Sequence, residues 1–481
     1  MKSLWSSTFS HFPTKELNTD LAGIDTLVIG GGMCGILTAY QLFQEGHRTV
    51  VLEAERTGSG QTHCTTAKIT AQHALIYDSL LQEAGFEAAK QYADANLLAI
   101  KRYRELAGSL NISCSLEILP SVLYTLSADT TALEREYNAA RSLGIECSLQ
   151  KSASLPFNTA LCLSFSNQAQ FNPMPFLYAL ADKLEIYEKS RVLDVKEHTA
   201  ITDKGSVTAA NIVFATHYPF RNFPGLYFTK MHRERSYVIA LKNAGTLDGM
   251  YYGIDEDGLS FRYYDSFMLM GGQGHRTGKS GPQDRYSWLE RQAKNFWPDC
   301  ITIGRWSAQD CVSVDKIPYI GSYSKKYPYW FVATGFKKWG MTASMAAAEI
   351  LCDLIDKGSS PYAGVFSPDR KFTASSRKNL AKEILQSSIS LGKEFLTWPL
   401  SGLDDIAPGD AKIVHYKGRK LGIYKDMSGN IFPVSAKCPH LGCQLSWNPN
   451  DRSWDCPCHG SRFDYKGRLL DNPAQKDIIK A

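Results

Sequence analysis

The segments Cys438-Pro439-His440-Leu441-Gly442-Cys443 and Cys456-Pro457-Cys458-His459-Gly460-Ser461 decide how the rest of the chain is interpreted. Each segment offers a cysteine and a histidine separated by one or two residues. Two thiolates and two imidazoles are the ligand set of a [2Fe–2S] cluster in which two Cys bind one iron and two His bind the other. Paired Cys and His at short spacing also suit structural zinc, so ligand type and spacing leave both metals open.

The two segments resemble the Rieske motif, and Gly442, Gly460 and Ser461 also stand where the Rieske family places them. The resemblance therefore favours the iron–sulfur cluster over zinc. It implies four cluster ligands: Cys438, His440, Cys456 and His459. It also implies a disulfide that braces the two cluster loops, formed by Cys443 and Cys458.

The ligands set the expected redox chemistry. Neutral imidazoles in place of two thiolates remove negative charge, which raises the reduction potential. Ser461 matches a family position that donates a hydrogen bond to a bridging sulfide, whereas the family's next donor, a Tyr, is Phe463 here. We therefore expect a potential below that of respiratory Rieske proteins and above that of a Cys-only ferredoxin. The resemblance also implies exposed outer His nitrogens, whose protonation would accompany electron uptake.

The composition is that of a globular protein with two or three domains. The chain has 481 residues, of which 44% are hydrophobic and 21% charged. The net charge of +5 is small and the Lys and Arg residues are scattered, so no nucleic-acid surface is predicted. Four of the twelve Cys lie in the motif, and the other eight are expected to be reduced. No apolar run predicts a signal peptide or a membrane span, and we expect a cytoplasmic protein.

Residues 24–53 follow the order strand, glycine turn, helix, strand. After an apolar run, Gly30-Gly31-Gly32-Met33-Cys34-Gly35 fits GxGxxG at the start of a helix. Such glycines allow a tight turn and a close approach to a pyrophosphate at the helix N-terminus. Glu53 ends the second strand, where an acid binds ribose hydroxyls. The sequence therefore predicts a dinucleotide-binding unit.

A Gly- and Thr-rich loop over residues 56–68 replaces the next strand of a nicotinamide domain. With residues 209–217, 315–321 and 332–342, it resembles the D-amino-acid oxidase and glycine oxidase superfamily of flavoproteins. The resemblance implies FAD, with a helix from about Gly340 whose N-terminus stabilises negative charge on the reduced flavin. The residues expected to bind FAD are Gly30, Gly32, Gly35, Glu53, Ala54, Thr65, Thr66, Gly335, Gly340, Met341 and Thr342.

A substrate domain is expected between the FAD segments. Strands over residues 236–241, 250–253, 259–264 and 267–271 predict an antiparallel sheet that roofs the flavin. The candidate substrate contacts are Arg262, Tyr263, Tyr264, Tyr251 and His275, and Arg262 could clamp a carboxylate. The possible flavin neighbours are His63, His217 and Lys338. Each of these residues also has a purely structural interpretation, and no general base is identified; the candidate catalytic residues are Arg262, Tyr264, His275 and Lys338.

The expected fold is an α/β FAD-binding domain like that of glutathione reductase, an α+β substrate domain and a C-terminal all-β Rieske domain. The predicted boundaries are an N-terminal extension at 1–23, the FAD domain at 24–75, 165–225 and 305–360, the substrate domain at 76–164 and 226–304, a linker helix at 361–402 and the Rieske domain at 403–481. The loop around Pro473 is expected to cover the cluster.

The leading hypothesis is an FAD-dependent dehydrogenase. An amine or amino acid would reduce FAD, and the electrons would pass singly through the Rieske cluster to an external acceptor, a protein or a quinone. One alternative is an NAD(P)H-dependent reductase, although no second nucleotide fingerprint is present. Another is a non-catalytic electron-transfer or redox-sensing module. A Rieske oxygenase is disfavoured, since no two His lie within five residues of each other to bind mononuclear iron.

Overall fold

The computed structural model describes residues 3–8, 15–279, 281, 283–396, 402–416 and 418–479. Strands are numbered β1–β24 and α-helices α1–α10 along the chain. The helices are α1 (Met33–Gln44), α2 (Tyr77–Ala84), α3 (Phe86–Ser109), α4 (Thr131–Ser142), α5 (Pro173–Ala181), α6 (Tyr227–Lys230), α7 (Arg285–Phe296), α8 (Gly340–Asp356), α9 (Ala363–Phe366) and α10 (Ala374–Leu396). Among the described residues, no helix is both long and apolar enough to cross a membrane.

An eight-stranded sheet forms the centre of the dinucleotide-binding half. Its main path has the order β16-β17-β10-β1-β2-β7, and β8 and β9 extend it beside β10. Strand β1 pairs in parallel with both β2 and β10. Its residues 27–29 are buried and form a continuous apolar run, which is typical of a parallel strand covered on both faces of the sheet. The strands are β1 (Leu21–Ile29), β2 (Thr49–Leu52), β7 (Glu185–Tyr187), β8 (Asp194–Lys196), β9 (Thr199–Ile201), β10 (Ser206–Phe214), β16 (Tyr319–Ser324) and β17 (Tyr327–Thr334).

A nine-stranded sheet forms the second half. Its main path has the order β15-β11-β14-β13-β12-β4-β6-β3, and β5 pairs with β6. The four strands predicted between residues 236 and 271 are β11 to β14, and the neighbours β11–β14, β14–β13 and β13–β12 are antiparallel. The strands are β3 (Lys68–Ile69), β4 (Glu117–Thr125), β5 (Cys147–Gln150), β6 (Leu161–Gln170), β11 (Met231–Lys242), β12 (Met250–Gly253), β13 (Ser260–Tyr264), β14 (Phe267–Arg276) and β15 (Ile301–Ser313).

Four segments of the chain depart from the predicted domain boundaries. Residues 165–170 and 305–313 were assigned to the FAD domain, but they belong to β6 and β15 of the nine-stranded sheet. The short strand β3 also joins that sheet. Within the predicted N-terminal extension, Trp5 is part of the core, because its side chain is buried and its indole donates to the Thr65 carbonyl at 2.7 Å.

The C-terminal region contains two small antiparallel sheets. The predicted linker region contains α9 and α10, and α10 leads to the sheets β18-β19-β20 and β21-β22-β23-β24. The first cluster loop follows β20, and the second connects β22 to β23. The strands are β18 (Ala411–Tyr416), β19 (Arg419–Lys425), β20 (Ile431–Ser435), β21 (Ser446–Asn448), β22 (Ser453–Asp455), β23 (Arg462–Asp464) and β24 (Leu469–Asp471). The structure thus has the predicted α/β, α+β and all-β parts.

Candidate functional site

The turn between β1 and α1 forms a cradle that side chains would fill. Gly30 has φ +115°, and a Cβ there would lie 2.6 Å from the Ala215 carbonyl oxygen. A Cβ on Gly35 would lie 1.9 Å from the Gly30 carbonyl oxygen. Glycine at both positions keeps the N-terminus of α1 open and the helix close to the sheet, which suits a dinucleotide pyrophosphate.

Glu53 stands at the end of β2, beside this turn. Its carboxylate accepts hydrogen bonds from the backbone N–H of Gly31 at 2.7 Å and of Glu55 at 2.8 Å. Burial raises the pKa of Glu53, although these two backbone donors oppose the shift. The acid is thus held at the strand end where ribose hydroxyls bind in this type of fold.

A cavity of about 590 Å³ runs from this cradle to the nine-stranded sheet. The predicted FAD-binding residues that line it are Gly30, Gly32, Glu53, Ala54, Thr65, Thr66, Gly340 and Met341. Three others support its wall. Gly35 allows close packing, Gly335 has φ +80° in the turn after β17, and the Thr342 hydroxyl donates to the Thr70 carbonyl at 2.9 Å. Helix α8 begins at the cavity, so the positive end of its dipole stabilises negative charge on a group bound there.

Charged side chains line the end of the cavity beside the nine-stranded sheet. Burial lowers the pKa of Lys68 to about 7 and that of Lys337 to about 8. Burial also disfavours the charged form of Lys338, but the Asp310 carboxylate 3.0 Å away outweighs it and raises the pKa of this ammonium. A hydrogen bond from His232 lowers the pKa of Glu234 to about 2. Among these residues, sequence reasoning identified only Lys338.

Arg262 does not have the predicted role of substrate clamp. Its side chain is fully buried, and its guanidinium donates to the Gln170 side chain at 2.7 Å, to the Phe171 carbonyl at 2.7 Å and to the Thr66 carbonyl. These acceptors hold Arg262 beneath the FAD-binding loop. A substrate carboxylate cannot reach it, because the strand register turns this side chain into the protein.

The predicted tyrosine contacts also lie away from the cavity lining. Tyr264 packs edge-on against Trp5, and the buried Tyr251 hydroxyl donates to Asp248. Tyr263 packs against the apolar core on the other side of the sheet, and His63 hydrogen-bonds the Gly60 carbonyl within its own loop. An aromatic pair that sequence reasoning missed, Tyr252 and Trp339, does line the cavity.

Two predicted histidines line the cavity. His275 Nε2 lies 3.0 Å from the Tyr237 hydroxyl, and its Nδ1 lies 2.9 Å from the Arg276 carbonyl. Burial lowers the pKa of His275 to about 4. His217 follows β10 with φ +64°, and its buried Nε2 has no hydrogen-bond partner among the described residues. Burial lowers its pKa to about 3, so both imidazoles are neutral near pH 7.

Buried histidines predict that acid destabilises the fold. Burial also lowers the pKa of His73 to about 3, where the ring contacts Tyr92 and stacks on Trp339. Since the unfolded chain takes up protons below about pH 6.5 that the folded chain refuses, the free energy of unfolding should fall from about pH 6.5 toward pH 3 to 4. A tenfold difference in proton affinity between the folded and unfolded chain corresponds to about 1.4 kcal/mol. Denaturant unfolding at several pH values measures this slope, which should be shallower in a His73→Gln variant. An identical slope in both proteins would contradict the assignment to His73.

The two cluster loops bring the predicted metal ligands together. Cys438 and Cys456 are buried free thiols, and the rings of His440 and His459 lie 5.0 Å apart. The Nδ1 atoms of both histidines are buried and have no hydrogen-bond partner among the described residues. Such unpaired nitrogens beside two buried thiols fit a cluster whose one iron takes two Cys and whose other iron takes two His.

A disulfide joins the loops as predicted. Cys443 and Cys458 are bonded, with their Cα atoms 6.6 Å apart. The Ser461 hydroxyl accepts a hydrogen bond from the Ala474 N–H at 3.0 Å, so the loop around Pro473 lies on the second cluster loop. These contacts keep the ligands in fixed positions.

The outer edges of the two histidines contact the segment around α6. His440 Nε2 donates to the Asn222 side-chain oxygen at 2.7 Å, which leaves Nδ1 for the metal. His459 is buried, and its ring packs edge-on against Phe228. His440 is half-buried, so the segment around α6 covers part of this outer edge of the site.

Buried ion pairs fix the Rieske domain to the nine-stranded sheet. Asp451 accepts from the Arg235 guanidinium, from Arg462 at 3.1 Å and from the Ser307 hydroxyl at 2.9 Å. The Arg235 and Asp451 side chains are 1% and 6% exposed, so neither charge is solvated. Burial raises the pKa of Asp451, but the two guanidinium groups outweigh this and lower it. The Arg235–Asp451 ion pair is thus a fixed contact between the nine-stranded sheet and the Rieske domain.

An Asp451→Asn substitution should therefore destabilise the protein by about 3–5 kcal/mol, because it leaves buried guanidinium charge uncompensated. The free energy of unfolding of the cofactor-loaded protein measures this loss. The matched control is Asp353→Asn, which removes the exposed helical pair with Lys357 (2.9 Å) and should cost less than about 1 kcal/mol. Equal losses for the two substitutions would contradict a buried ion pair at Asp451.

Comparisons with known proteins agree with both sites. Residues 25–354 match the family described as FAD dependent oxidoreductase, and residues 398–480 match the Rieske [2Fe-2S] domain. The chain is 36% identical over 495 aligned residues to YhfW of Bacillus subtilis (strain 168), which is named as a Rieske 2Fe-2S iron-sulfur protein. That alignment covers 98% of this chain and 96% of YhfW.

Solved structures share the fold of the flavin-binding part. L-proline dehydrogenase from P. horikoshii superposes with a TM-score of 0.58 at 18% identity, covering 74% of this chain and 98% of that one. Glycine oxidase from Geobacillus kaustophilus superposes with a TM-score of 0.60 at 17% identity, covering 74% and 100%. At such identities the similarity establishes the fold alone. Together with the family matches and the two sites, it shows that the chain belongs to the FAD dependent oxidoreductase family and carries a Rieske [2Fe-2S] domain at its C-terminal end.

Proposed function

We propose that the protein dehydrogenates an amine or amino acid at FAD and passes the electrons singly through the Rieske cluster to an external acceptor. The observation that carries this proposal is the direct contact between the FAD cavity and the Rieske domain. The Asn472 amide nitrogen donates to the Thr216 carbonyl at 3.1 Å and to the Tyr218 carbonyl at 2.8 Å. Both Thr216 and Asn472 line the cavity.

A chain of hydrogen bonds continues from this contact to a cluster ligand. Arg233 donates to the Asn472 side-chain oxygen at 2.7 Å and to the Gly460 carbonyl at 3.4 Å. Gly460 follows the ligand His459 directly. The Gln309 amide also donates to the Gly460 carbonyl, at 2.7 Å, and Gln309 lines the cavity. Only a few hydrogen-bonded residues would therefore separate the FAD cavity from the ligands of the one-electron cluster.

The charged end of the cavity supports a small amino compound as the substrate. Lys337 offers a cation for a carboxylate, and Glu234 offers an anion for an ammonium group. Tyr252 and Trp339 add an aromatic wall that suits an alkyl side chain. The similar folds named above include a proline dehydrogenase and a glycine oxidase, which fits the same substrate class. FAD supplies the two-electron acceptor, while these side chains bind and orient the substrate.

The test is an anaerobic titration of the loaded protein with a panel of amines and amino acids, and separately with NADH and NADPH. We expect an amino compound to bleach the flavin absorbance and the EPR signal of the reduced cluster to follow. Cluster reduction by a nicotinamide alone would replace the proposal with a reductase. Failure of every compound to bleach the flavin would favour a non-catalytic electron-transfer module.

Charge at the substrate end can be tested separately. A Lys337→Met variant should raise KM for an amino acid more than for the matching amine without a carboxylate. Equal effects on the two substrates would show that Lys337 does not bind the carboxylate.

A further inference from the structure

Helix α10 has one face packed on the protein and one in solvent. The packed side chains include Ser376, Leu380, Glu383, Ser390 and Leu391, the last of which joins the Rieske core. The exposed side chains recur with helical spacing on the opposite face. They are Arg377, Lys378, Ala381, Lys382, Ile384, Leu385, Ser388 and Ile389.

Specific contacts fix this orientation of the helix. The Glu383 carboxylate lies 2.8 Å from Arg276 and 3.2 Å from His232, both on the nine-stranded sheet. The Asn379 amide donates to the Val314 carbonyl at 3.0 Å. Rotation of α10 about its axis would break these contacts, so the aliphatic side chains on the outer face are held in solvent.

The exposed face combines aliphatic side chains with positive charge. Ile384, Leu385 and Ile389 are 46%, 60% and 55% exposed. Three cations, Arg377, Lys378 and Lys382, are exposed on the preceding turns of the same face. Glu383, the only acid between residues 374 and 392, is turned inward. A helix with apolar and cationic side chains on one outer face is typical of segments that lie on anionic membranes.

The aliphatic end of this face lies beside the cluster loops. The Ser387 carbonyl oxygen is 3.8 Å from the Cys458 sulfur, and α10 packs against α6. Phe223, 66% exposed, follows Asn222, the residue that binds the ligand His440. Leu441 of the first cluster loop is also exposed. The second cluster loop therefore contacts the packed side of α10, and two exposed apolar side chains lie on segments that carry or contact a cluster ligand.

We propose that the outer face of α10 docks the protein on the surface of an anionic lipid bilayer. The aliphatic side chains enter the interface, and the three cations bind lipid phosphates. A protein partner fits less well, because protein interfaces are enriched in aromatic residues and depleted of Lys at their centre. Docking would bring the cluster to the phase that holds lipid-soluble quinones.

Vesicle sedimentation with the full-length, cofactor-loaded protein tests the proposal. We expect binding to vesicles of phosphatidylcholine mixed with phosphatidylglycerol, weak binding to phosphatidylcholine alone, and loss of binding at high salt. The double variant Leu385→Glu/Ile389→Glu should bind at least ~10-fold more weakly, since it removes buried aliphatic surface and adds repulsion. Exposed positions make both substitutions compatible with folding.

The matched control is Ile301→Glu/Ile303→Glu, which makes the same change at exposed positions on β15 and should leave vesicle binding unchanged. Absence of binding to the anionic vesicles would overturn the proposal. So would equal losses in both double variants, or light scattering that shows a dimer which only the α10 variant dissociates. Vesicle binding does not require flavin reduction, so its failure would leave the proposed reaction standing.

Discussion

A Cys456→Ser substitution should remove the Rieske cluster while FAD stays bound and reducible. Cys456 is a buried thiol on the second cluster loop, paired with Cys438 on the first. A serine hydroxyl is a far poorer iron ligand than a thiolate, and no other free thiol is present among the described residues of the two loops. The flavin cradle between β1 and α1 contributes none of the cluster ligands, so it should keep its affinity for FAD.

Iron analysis and EPR of the reduced protein measure the loss, and flavin absorbance measures the FAD that remains. We expect the Rieske signal to disappear and bound iron to fall to near zero. The proposed substrate should still bleach the flavin in the absence of oxygen. The matched control is Cys147→Ser on β5, which should keep both cofactors. A cluster that persists in the Cys456 variant would overturn the ligand assignment.

A Gly35→Ala substitution should abolish FAD binding. Its added methyl group would lie 1.9 Å from the Gly30 carbonyl oxygen, which is well inside contact distance, so α1 must move away from β1. That movement displaces the N–H groups at the start of α1 from the position of the pyrophosphate. We expect FAD affinity to fall at least ~100-fold, or about 2.7 kcal/mol.

The FAD content of the purified protein and a fluorescence titration of the apoprotein measure this effect. Gly108→Ala is the control, because Gly108 lies near the exposed end of α3 and a Cβ there would meet nothing within 4 Å. That substitution should be neutral or stabilise the helix by up to about 1 kcal/mol. Unchanged FAD content in the Gly35 variant would show that the turn does not bind the pyrophosphate.

Local sequence predicted the parts of the two sites whose members lie close together in the chain. The GxGxxG turn and the acid Glu53 belong to one strand-helix-strand unit, so spacing alone positions them. The cluster ligands lie in two loops close together in the chain, the first leading from β20 to β21 and the second connecting β22 to β23. Residue type and short-range spacing therefore predicted a dinucleotide site and a Cys/His metal site, and the resemblance to known families identified the cofactors as FAD and a Rieske cluster.

The substrate end could not be predicted in the same way, because long-range contacts determine it. Arg262 looked suited to a carboxylate, but its guanidinium binds the Thr66 carbonyl, 196 residues away in the chain. Lys68 looked like part of a loop, yet it lies on β3, lines the cavity and donates from its ammonium to the Ser260 hydroxyl on β13 of the same nine-stranded sheet. Without the register of the nine-stranded sheet, no sequence pattern distinguishes an inward Arg from a substrate ligand.

The contact between Asn222 and the ligand His440 could not be predicted from the sequence either. Asn222 lies in a loop with no motif, 218 residues before His440 in the chain. An amide oxygen that accepts from a ligand imidazole increases the basicity of that ligand and should lower the potential of the cluster. The potential expected from the sequence took the ligand charges and the positions of Ser461 and Phe463 into account but not this contact, which moves the expected value further down.

The Arg235–Asp451 pair also determines how the chain can be divided. The two family matches suggest a cut near residue 398, as if each half were an independent module. Arg235 is 1% exposed and has its carboxylate partner on the far side of that cut. A flavoprotein truncated there would expose the Arg235 guanidinium without its carboxylate, together with the apolar surface that the Rieske domain covers. The isolated Rieske fragment would expose the Asp451 carboxylate without its guanidinium partner. We therefore expect the two parts to unfold together, and expression of either part alone should yield aggregated protein.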